Sequence, residues 1–468
     1  MSEPFGPTFE DRAHALLARP NIGRNLATAM DRSVGLRDAV FEGADLEAMR
    51  LAGEAIRAHT VANLDRYLGE WSEKAQARGT QVFFATDASE AVGYVRELLR
   101  RKGASLVVKG KSMASEEIGL NHALESDGVQ VVETDLGEYI QQIANEPPVH
   151  IIVPAIHRTR FDVRDLFNRV HGTDLPEEPE RLTRFARDHL RERFLSAQVG
   201  ITGVNFAIAQ TGSISIVTNE GNGRMCSSLP PVHVAIMGME RILPSFRELA
   251  VMLPLLTGSA TGQRVSTYYN VISGPRAPED PDGPEELHVV VLDNGRSSLL
   301  ASGFRSILHC IRCGACLNVC PVFRHVGGHA YGSVYGGPIG AVLAPLLDGS
   351  GRWDDLPNAS SLCGACTDVC PVKIPLHEHL VELRHQRARH RAGLMERQAF
   401  GWWARVWSRP ALYRLATRLS RLGQLVFRRR GTIPRAPWPL SRWTRGRDLP
   451  PIATRTFHER WKERGRGA

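Results

Sequence analysis

Apolar positions recur every three to four residues through DLEAMRLAGEAIRAHTVANLDRYL, so residues 1 to about 75 read as a helical region. From about Gln81 the pattern changes. Short β-branched or apolar runs (QVFFAT, SLVVKG, VQVVETD, VHIIVPA, ISIVTN, HVAIMG, HVVVLDN) alternate with helix-period stretches such as SEAVGYVRELLRR and SEEIGLNHALESDG. Strands alternating with helices predict an α/β layer structure around a mainly parallel sheet. A proline-rich loop, SGPRAPEDPDGPEE at 273–286, precedes the last of these strands, and the layered region closes near Asn294. The pattern divides the chain into an N-terminal helical region (1–75), an α/β domain (76–296), a cysteine-bearing module (299–385) and a helical C-terminal region (386–468).

Length and charge sharpen this division. A chain of 468 residues is too long for one compact core and predicts two or three domains. The net charge of +8 is uneven: from Arg384 onward there are 22 Lys+Arg against 4 Asp+Glu, leaving 36 against 46 in the rest. Six of the eight tryptophans (Trp402, Trp403, Trp407, Trp438, Trp443, Trp461) also lie in the basic part. There FGWWARVWSRPALYRLATRLSRLGQLVF is amphipathic with a basic face, which predicts association with an acidic partner subunit or an anionic membrane surface. The rival reading is a solvated arm packed on the chain's own acidic body. Arginine with aromatic side chains also suits nucleic acid, but no nucleic-acid partner is expected. No run approaches the roughly 18 apolar residues of a membrane-crossing helix. The start, MSEPFGPTFEDRAHALLARP, has no apolar segment behind a basic one. A cytoplasmic protein is expected, peripheral at the inner membrane surface if the tail binds lipid.

Seven of the eight cysteines lie between positions 310 and 370. Cys310, Cys313, Cys316 and Cys320, followed by Pro321, complete the run C-x2-C-x2-C-x3-C-P that holds iron-sulfur clusters. Cys363, Cys366 and Cys370, followed by Pro371, repeat it with Ser360 in the first cysteine's place. Thiolates are soft donors, and four close a [4Fe-4S] cube. The fourth cysteine of each run ligates the other cluster in two-cluster ferredoxins, so the predicted ligation is crossed. Cluster 1 takes Cys310, Cys313, Cys316 and Cys370; cluster 2 takes Cys320, Cys363 and Cys366. Both are expected as [4Fe-4S], but cluster 2, one thiolate short, is open to being [3Fe-4S], a cube with an open iron, or a cube completed by Ser360 or Cys226. Paired zinc sites suit CxxC spacing but leave the third cysteine and the following proline of each run unexplained. The forty-two residues between Cys320 and Cys363 predict a helical two-cluster domain like those of respiratory iron-sulfur subunits.

The glycine-rich stretches are near misses. VVKGKSM has Ser105 where a phosphate loop needs glycine, and NEGNGRMC fails GxGxxG at Cys226. Neither predicts a nucleotide site, and no flavin or nicotinamide motif is visible. Both stretches still gather polar residues (Lys109, Lys111, Ser112, Glu116; Asn219, Glu220, Asn222, Arg224) where strands end. Open α/β sheets bind ligands there, with helix capping or loop ion pairs as the plainer alternative. His157 and His233 read as structural.

KGKSMASEEIGLN, VVETDLGEYI, AIAQTGSISIVTNEGNGR and LPPVHVAIMGMERILP resemble the LUD (lactate utilization) domain, whose fold is similar to the sugar-isomerase and CoA-transferase class. With the cysteine runs, YGSVYGGPIGAVLAPLL and WTRGRDLPPIATRTFHERWK, roughly residues 35 to 465 resemble the iron-sulfur subunit of the bacterial L-lactate utilization system. The resemblance implies an electron-transfer component of a complex that oxidises L-lactate to pyruvate. It implies two partners, a cysteine-rich iron-sulfur protein and a second LUD-domain protein. It also implies that three cysteines in the second run are a shared design. The competing expectation is a LUD domain that is itself catalytic in a CoA-transferase or isomerase manner, with structural clusters.

Overall fold

Strands that are buried at every position need both faces of their sheet covered, and here they form the centre of the fold. The computed structural model describes residues 8–19, 22–148, 150–391, 393–437, 441, 444 and 447–464. Among these, ten strands form two sheets: β1 (Gln81–Ala85), β2 (Leu106–Lys109), β3 (Gln130–Glu133), β4 (Val199–Gly203), β5 (Phe206–Ile208), β6 (Ser213–Thr218), β7 (Val232–Gly238), β8 (Ile242–Leu243), β9 (Tyr268–Ile272) and β10 (Glu286–Leu292). The larger sheet has the order β1-β10-β7-β4-β2-β3 and is parallel throughout. Every residue of β7 and of β2 is buried. The smaller sheet, β8-β5-β6-β9, is mixed: β5 is parallel to β8 but antiparallel to β6, which is antiparallel to β9.

The expected α/β fold with a mainly parallel sheet is therefore present, with two differences in its strands. VHIIVPA is not a strand over its described residues, 150–155. Side chains organise a turn there instead: His150 Nδ1 accepts from the Ile152 and Val153 amides (3.0 and 3.2 Å), and Gln141 Nε2 donates to the Pro147 and Pro154 carbonyls (both 3.2 Å). Conversely, β4, β5, β8 and β9 were not anticipated. Glycines weaken the strand signal of β4, yet Gly200 is required, since a Cβ there would run into the Cys226 carbonyl of the helix Asn222–Ser228.

The chain folds as two units, residues 1–384 and 385–468. In the first, the helices Phe9–Leu17, Ile22–Val40, Leu46–Ala62 and Leu64–Gln76 form as their periodicity predicts. One hydrophobic core joins Leu26 and Met30 to Phe206 and Ile208 of β5 and to Leu317, Phe323 and Leu356 near the cysteines. Packing is thus continuous across residues 75 and 297. Residues 299–384 contain helices, among them Gly337–Asp348 and the start of Leu376–Arg391, and no strand. The second unit contains the helices Leu394–Ser408, Pro410–Phe427 and Phe457–Arg464. Trp403 and Trp407 stack with ring centres 5.5 Å apart, and Gln424 bonds both the amide and the carbonyl of Ile452. Trp402, Trp403, Trp407 and Trp461 are exposed, whereas Trp438 and Trp443 lie outside the described residues. No helix among the described residues is long and apolar enough to cross a membrane.

Buried arginines fasten the cysteine module to the sheets. Arg57, on the helix Leu46–Ala62, donates to the carbonyls of Ile242 and Leu308 (both 2.9 Å), of His309 (3.3 Å) and of Glu240. Glu240 itself, just past β7, accepts from Arg296 Nε (2.8 Å) and lies 3.7 Å from both Arg241 and Arg312. Arg296 also forks onto Glu117 (2.9 and 2.7 Å), whose carboxylate accepts from the Tyr335 hydroxyl. Burial pushes the Glu240 carboxyl upward, but Arg296, Arg241 and Arg312 outweigh it and hold the group down at about 2.

A carboxyl lowered from 4.5 to about 2 in the fold adds stability that is complete above pH 4.5 and is lost as pH falls through 2. Glu240→Gln should lower stability at neutral pH by about 3–5 kcal/mol, because it leaves arginines buried without their counter-charge. The gap between the urea midpoints of wild type and variant should narrow between pH 4.5 and 2; as a difference, it cancels acid effects common to both proteins. A gap that stays constant down to pH 2 would refute this account of the network.

Candidate functional site

The two cysteine runs fold as near copies of each other, because each must curl tightly enough to point three side chains inward. In both, the residue two after the first position adopts left-handed backbone (Arg312, φ 61°; Leu362, φ 56°), and so does the glycine two further on (Gly314, 75°; Gly364, 84°). Short helices, Ala315–Asn318 and Ala365–Asp368, then carry each run to its last cysteine. The first position accepts the amide two residues ahead: Arg312 N donates to Cys310 Sγ at 3.4 Å, and Leu362 N donates to Ser360 Oγ at 3.1 Å. Ser360 thus occupies the conformational place of Cys310.

Across the runs, the grouping is exchanged. Cys310, Cys313 and Cys316 line a recess together with Cys370, walled by Ile151, Ile339, Val372, Ile374 and Leu376. Cys320 instead has Cys363 and Cys366 as its neighbouring thiols. Cys316 feels Cys313, Cys310 and Cys370 and also Cys366, so the two groups adjoin. Burial, with a further push from neighbouring thiols, raises Cys313, Cys316, Cys320, Cys366 and Cys370; Cys366 and Cys370 each reach about 11. Thiolates at this density need a cationic centre, and soft donors in an apolar recess with amides directed at sulfur suit iron-sulfur clusters. Ile374 N supplies one such amide, 3.3 Å from Cys370 Sγ. Arg50 ties the second run down by donating to the carbonyls of Cys370 (3.0 Å) and Thr367 (3.4 Å).

Two further residues decide what surrounds the second group. Tyr331 is completely buried, its hydroxyl has no well-formed hydrogen bond among the described residues, and the thiols bearing on it are Cys320, Cys316 and Cys366. Nothing in the sequence marked it, since a tyrosine between two runs has no spacing rule. Cys226, the other thiol considered for this group, is excluded by its place. It is fully buried in a separate core beneath the sheet, 3.4 Å from Thr134 Oγ1, and burial pushes it up to about 12.

A cavity of about 420 Å³ opens past the carboxyl ends of the larger sheet. Of the loop residues expected there, Lys111, Ser112, Asn219, Glu220 and Asn222 line it. Lys109 and Glu116 pair beneath it at 2.7 Å, with Glu133 2.5 Å from the same Lys109 ammonium, and Arg224 does not line it. Glu240, Arg241, Arg296, Arg312 and Tyr335 close the side toward the cysteines. Sequence reasoning missed these five because their partners come from distant segments. His157 lies 3.3 Å from Glu146, and His233 bonds Thr202 Oγ1 at 2.7 Å.

The LUD domain family matches residues 68–292, the 4Fe-4S dicluster domain family residues 306–374, and the lactate utilisation protein B C-terminal family residues 375–466. The cysteine module is therefore an iron-sulfur domain. Lactate utilization protein B of Bacillus licheniformis is 49% identical over 465 residues, 98% of each chain. The protein of that name from Shouchella clausii is 50% identical over 423 residues (89% of this chain, 88% of the relative), and that from Bacillus subtilis 47% over 433 residues (91% and 90%). Among solved structures, a DUF162 family protein from Deinococcus radiodurans aligns with 49% of this chain and 98% of its own, at 14% identity and a TM-score of 0.28. The identity to the curated relatives extends over nearly every residue, well beyond the cysteine runs that any dicluster protein would share, and the chain belongs to the lactate utilization protein B family.

Proposed function

We propose that this chain is the iron-sulfur electron-transfer subunit of a complex that oxidises L-lactate to pyruvate. The observation that carries the reading is the gathering of seven thiols, from runs about fifty residues apart, into two adjoining groups, buried or half-buried except for the exposed Cys363, with Cys316 facing both. Cys310, Cys313, Cys316 and Cys370 would hold cluster 1, and Cys320, Cys363 and Cys366 cluster 2, each as [4Fe-4S]. Such clusters, when bound, accept and pass on single electrons, and a pair suits a reaction that releases two. The chain's own part is to gather the thiols, direct amides at them and shield cluster 1 in its apolar recess. The partners in this reading are a cysteine-rich iron-sulfur protein and a second LUD-domain protein. The basic second unit, with its exposed tryptophans, would meet a partner or the inner membrane surface from the cytoplasmic side. If the LUD domain instead worked as a transferase or isomerase with structural clusters, L-lactate would leave the clusters oxidised in the assembled complex.

For the fourth corner of cluster 2, Ser360 stands in the ligand position, but its oxygen is harder than sulfur and must lose a proton to bind well. Cluster 2 is then the more labile, with Tyr331 directing its hydroxyl at the Cys320 side. Three outcomes are expected from electron paramagnetic resonance and iron analysis of serine variants. Cys370→Ser should share the defect of Cys313→Ser, and Cys320→Ser that of Cys363→Ser; defects grouped by run would refute the crossed assignment. Ser360→Cys should slow oxidative iron loss from cluster 2 alone. Tyr331→Phe should shift the spectrum or potential of cluster 2 and leave cluster 1 unchanged.

A further inference from the structure

We propose that the cavity beyond the carboxyl ends of the larger sheet binds a short 2-hydroxy or 2-oxo monocarboxylate, held by Arg312 and Lys111 beside the first cysteine group. The choice of this acid class rests on the function proposed above; the anion site itself rests on charge and burial.

Arg312 stands between Cys310 and Cys313 in the chain, and its side chain is only 10% exposed. Its Nε and Nη1 have no hydrogen-bond partner among the described residues. The Tyr335 ring lies 4.2 Å from its guanidinium, and its nearest carboxylate, Glu240 at 3.7 Å, is already bonded to Arg296 and approached by Arg241. Three guanidiniums thus share Glu240 and Glu117, with the Cys310 thiol also bearing on Arg241 and Arg312. Lys111 lines the same cavity, and its buried ammonium also lacks a hydrogen-bond partner among the described residues. Burial lowers Lys111 itself while Asp135, Glu138 and Glu220 favour its charged form, and burial in turn raises Glu138, and raises Glu220 to about 7.

A buried cation without partners is costly. Two of them on one cavity are explained by an anion that completes both. A guanidinium fork matches the two oxygens of a carboxylate, and ligands of open α/β sheets sit beyond the strand ends. The volume of about 420 Å³ admits an acid of a few carbons together with water. Because Arg312 belongs to the first cysteine loop, an acid bound to it would lie against cluster 1 and not cluster 2.

The test is calorimetric titration of the iron-loaded full chain with L-lactate, pyruvate and the neutral isostere lactamide, alongside the resonance spectrum of cluster 1. The acids should bind and perturb that spectrum, and lactamide should bind at least about tenfold more weakly. Arg312→Gln and Lys111→Met should each weaken acid binding about ten- to a hundredfold at unchanged iron content. If Arg312→Gln loses iron, Lys111→Met, remote from the cysteine loops in sequence, decides alone. No binding by the wild type at millimolar acid, equal binding of lactamide, or wild-type affinity in Lys111→Met would overturn the site. Reduction of the clusters by L-lactate with the partner proteins present is read separately. If it persists without acid binding to this chain, the electron-transfer reading stands and the site falls. If acid binds but the clusters are never reduced, the site stands and the reading falls.

Discussion

The Glu240 carboxylate is where the sheet and the cysteine module meet. It sits two residues beyond β7, a strand buried along its whole length, and its side chain bonds Arg296 from the segment after β10. Its other neighbours are Arg241, on its own turn, and Arg312, in the first cysteine loop. The backbone carbonyl of the same residue takes a bond from Arg57 on the N-terminal helical layer. Three layers of the unit therefore refer their positions to one buried acid. Burying charge is expensive, and the cost is recovered only where geometry is good on every side. That condition narrows the ways in which the cysteine loop can sit on the sheet.

The network also explains which parts of the molecule could be read in advance. Cysteine spacing is a local requirement, since three side chains from one tight loop must reach a single centre, and so the runs are visible in the linear sequence. The helices Leu46–Ala62 and Leu64–Gln76 were equally legible, because a buried stripe repeats along one element. The charges around Glu240 have no such rule: Glu117, Arg296 and Arg312 are brought together by tertiary folding alone. The strands show the same contrast. Apolar residues at 151–153 imitate a strand, yet flanking prolines and the His150 ring direct a turn, whereas β4 hides behind glycines that a packed helix demands.

The repeated cysteine loops differ in what stands beside them. The first run carries Arg312 toward the cavity and the acid network; at the same left-handed position the second carries Leu362, an apolar side chain. One conformation, used twice, thus gives two centres with unlike electrostatic surroundings. A cationic neighbour favours the more negative, reduced form of a cluster, while solvent access and hydrogen bonds to sulfur set potential as well. Asymmetry of this kind gives a relay a direction even when the ligand loops are copies.

The exchange of Cys370 into the first group has a consequence for how the protein is made. Roughly sixty residues separate Cys310 from Cys370, and the ribosome adds about 5–20 residues each second. For several seconds the growing chain has a finished sheet and three of the thiols of its first centre, but not the fourth. Neither thiol group is complete on the nascent chain until the second run has emerged. Because the loops interlace, a chain truncated before Cys363 retains neither thiol group whole.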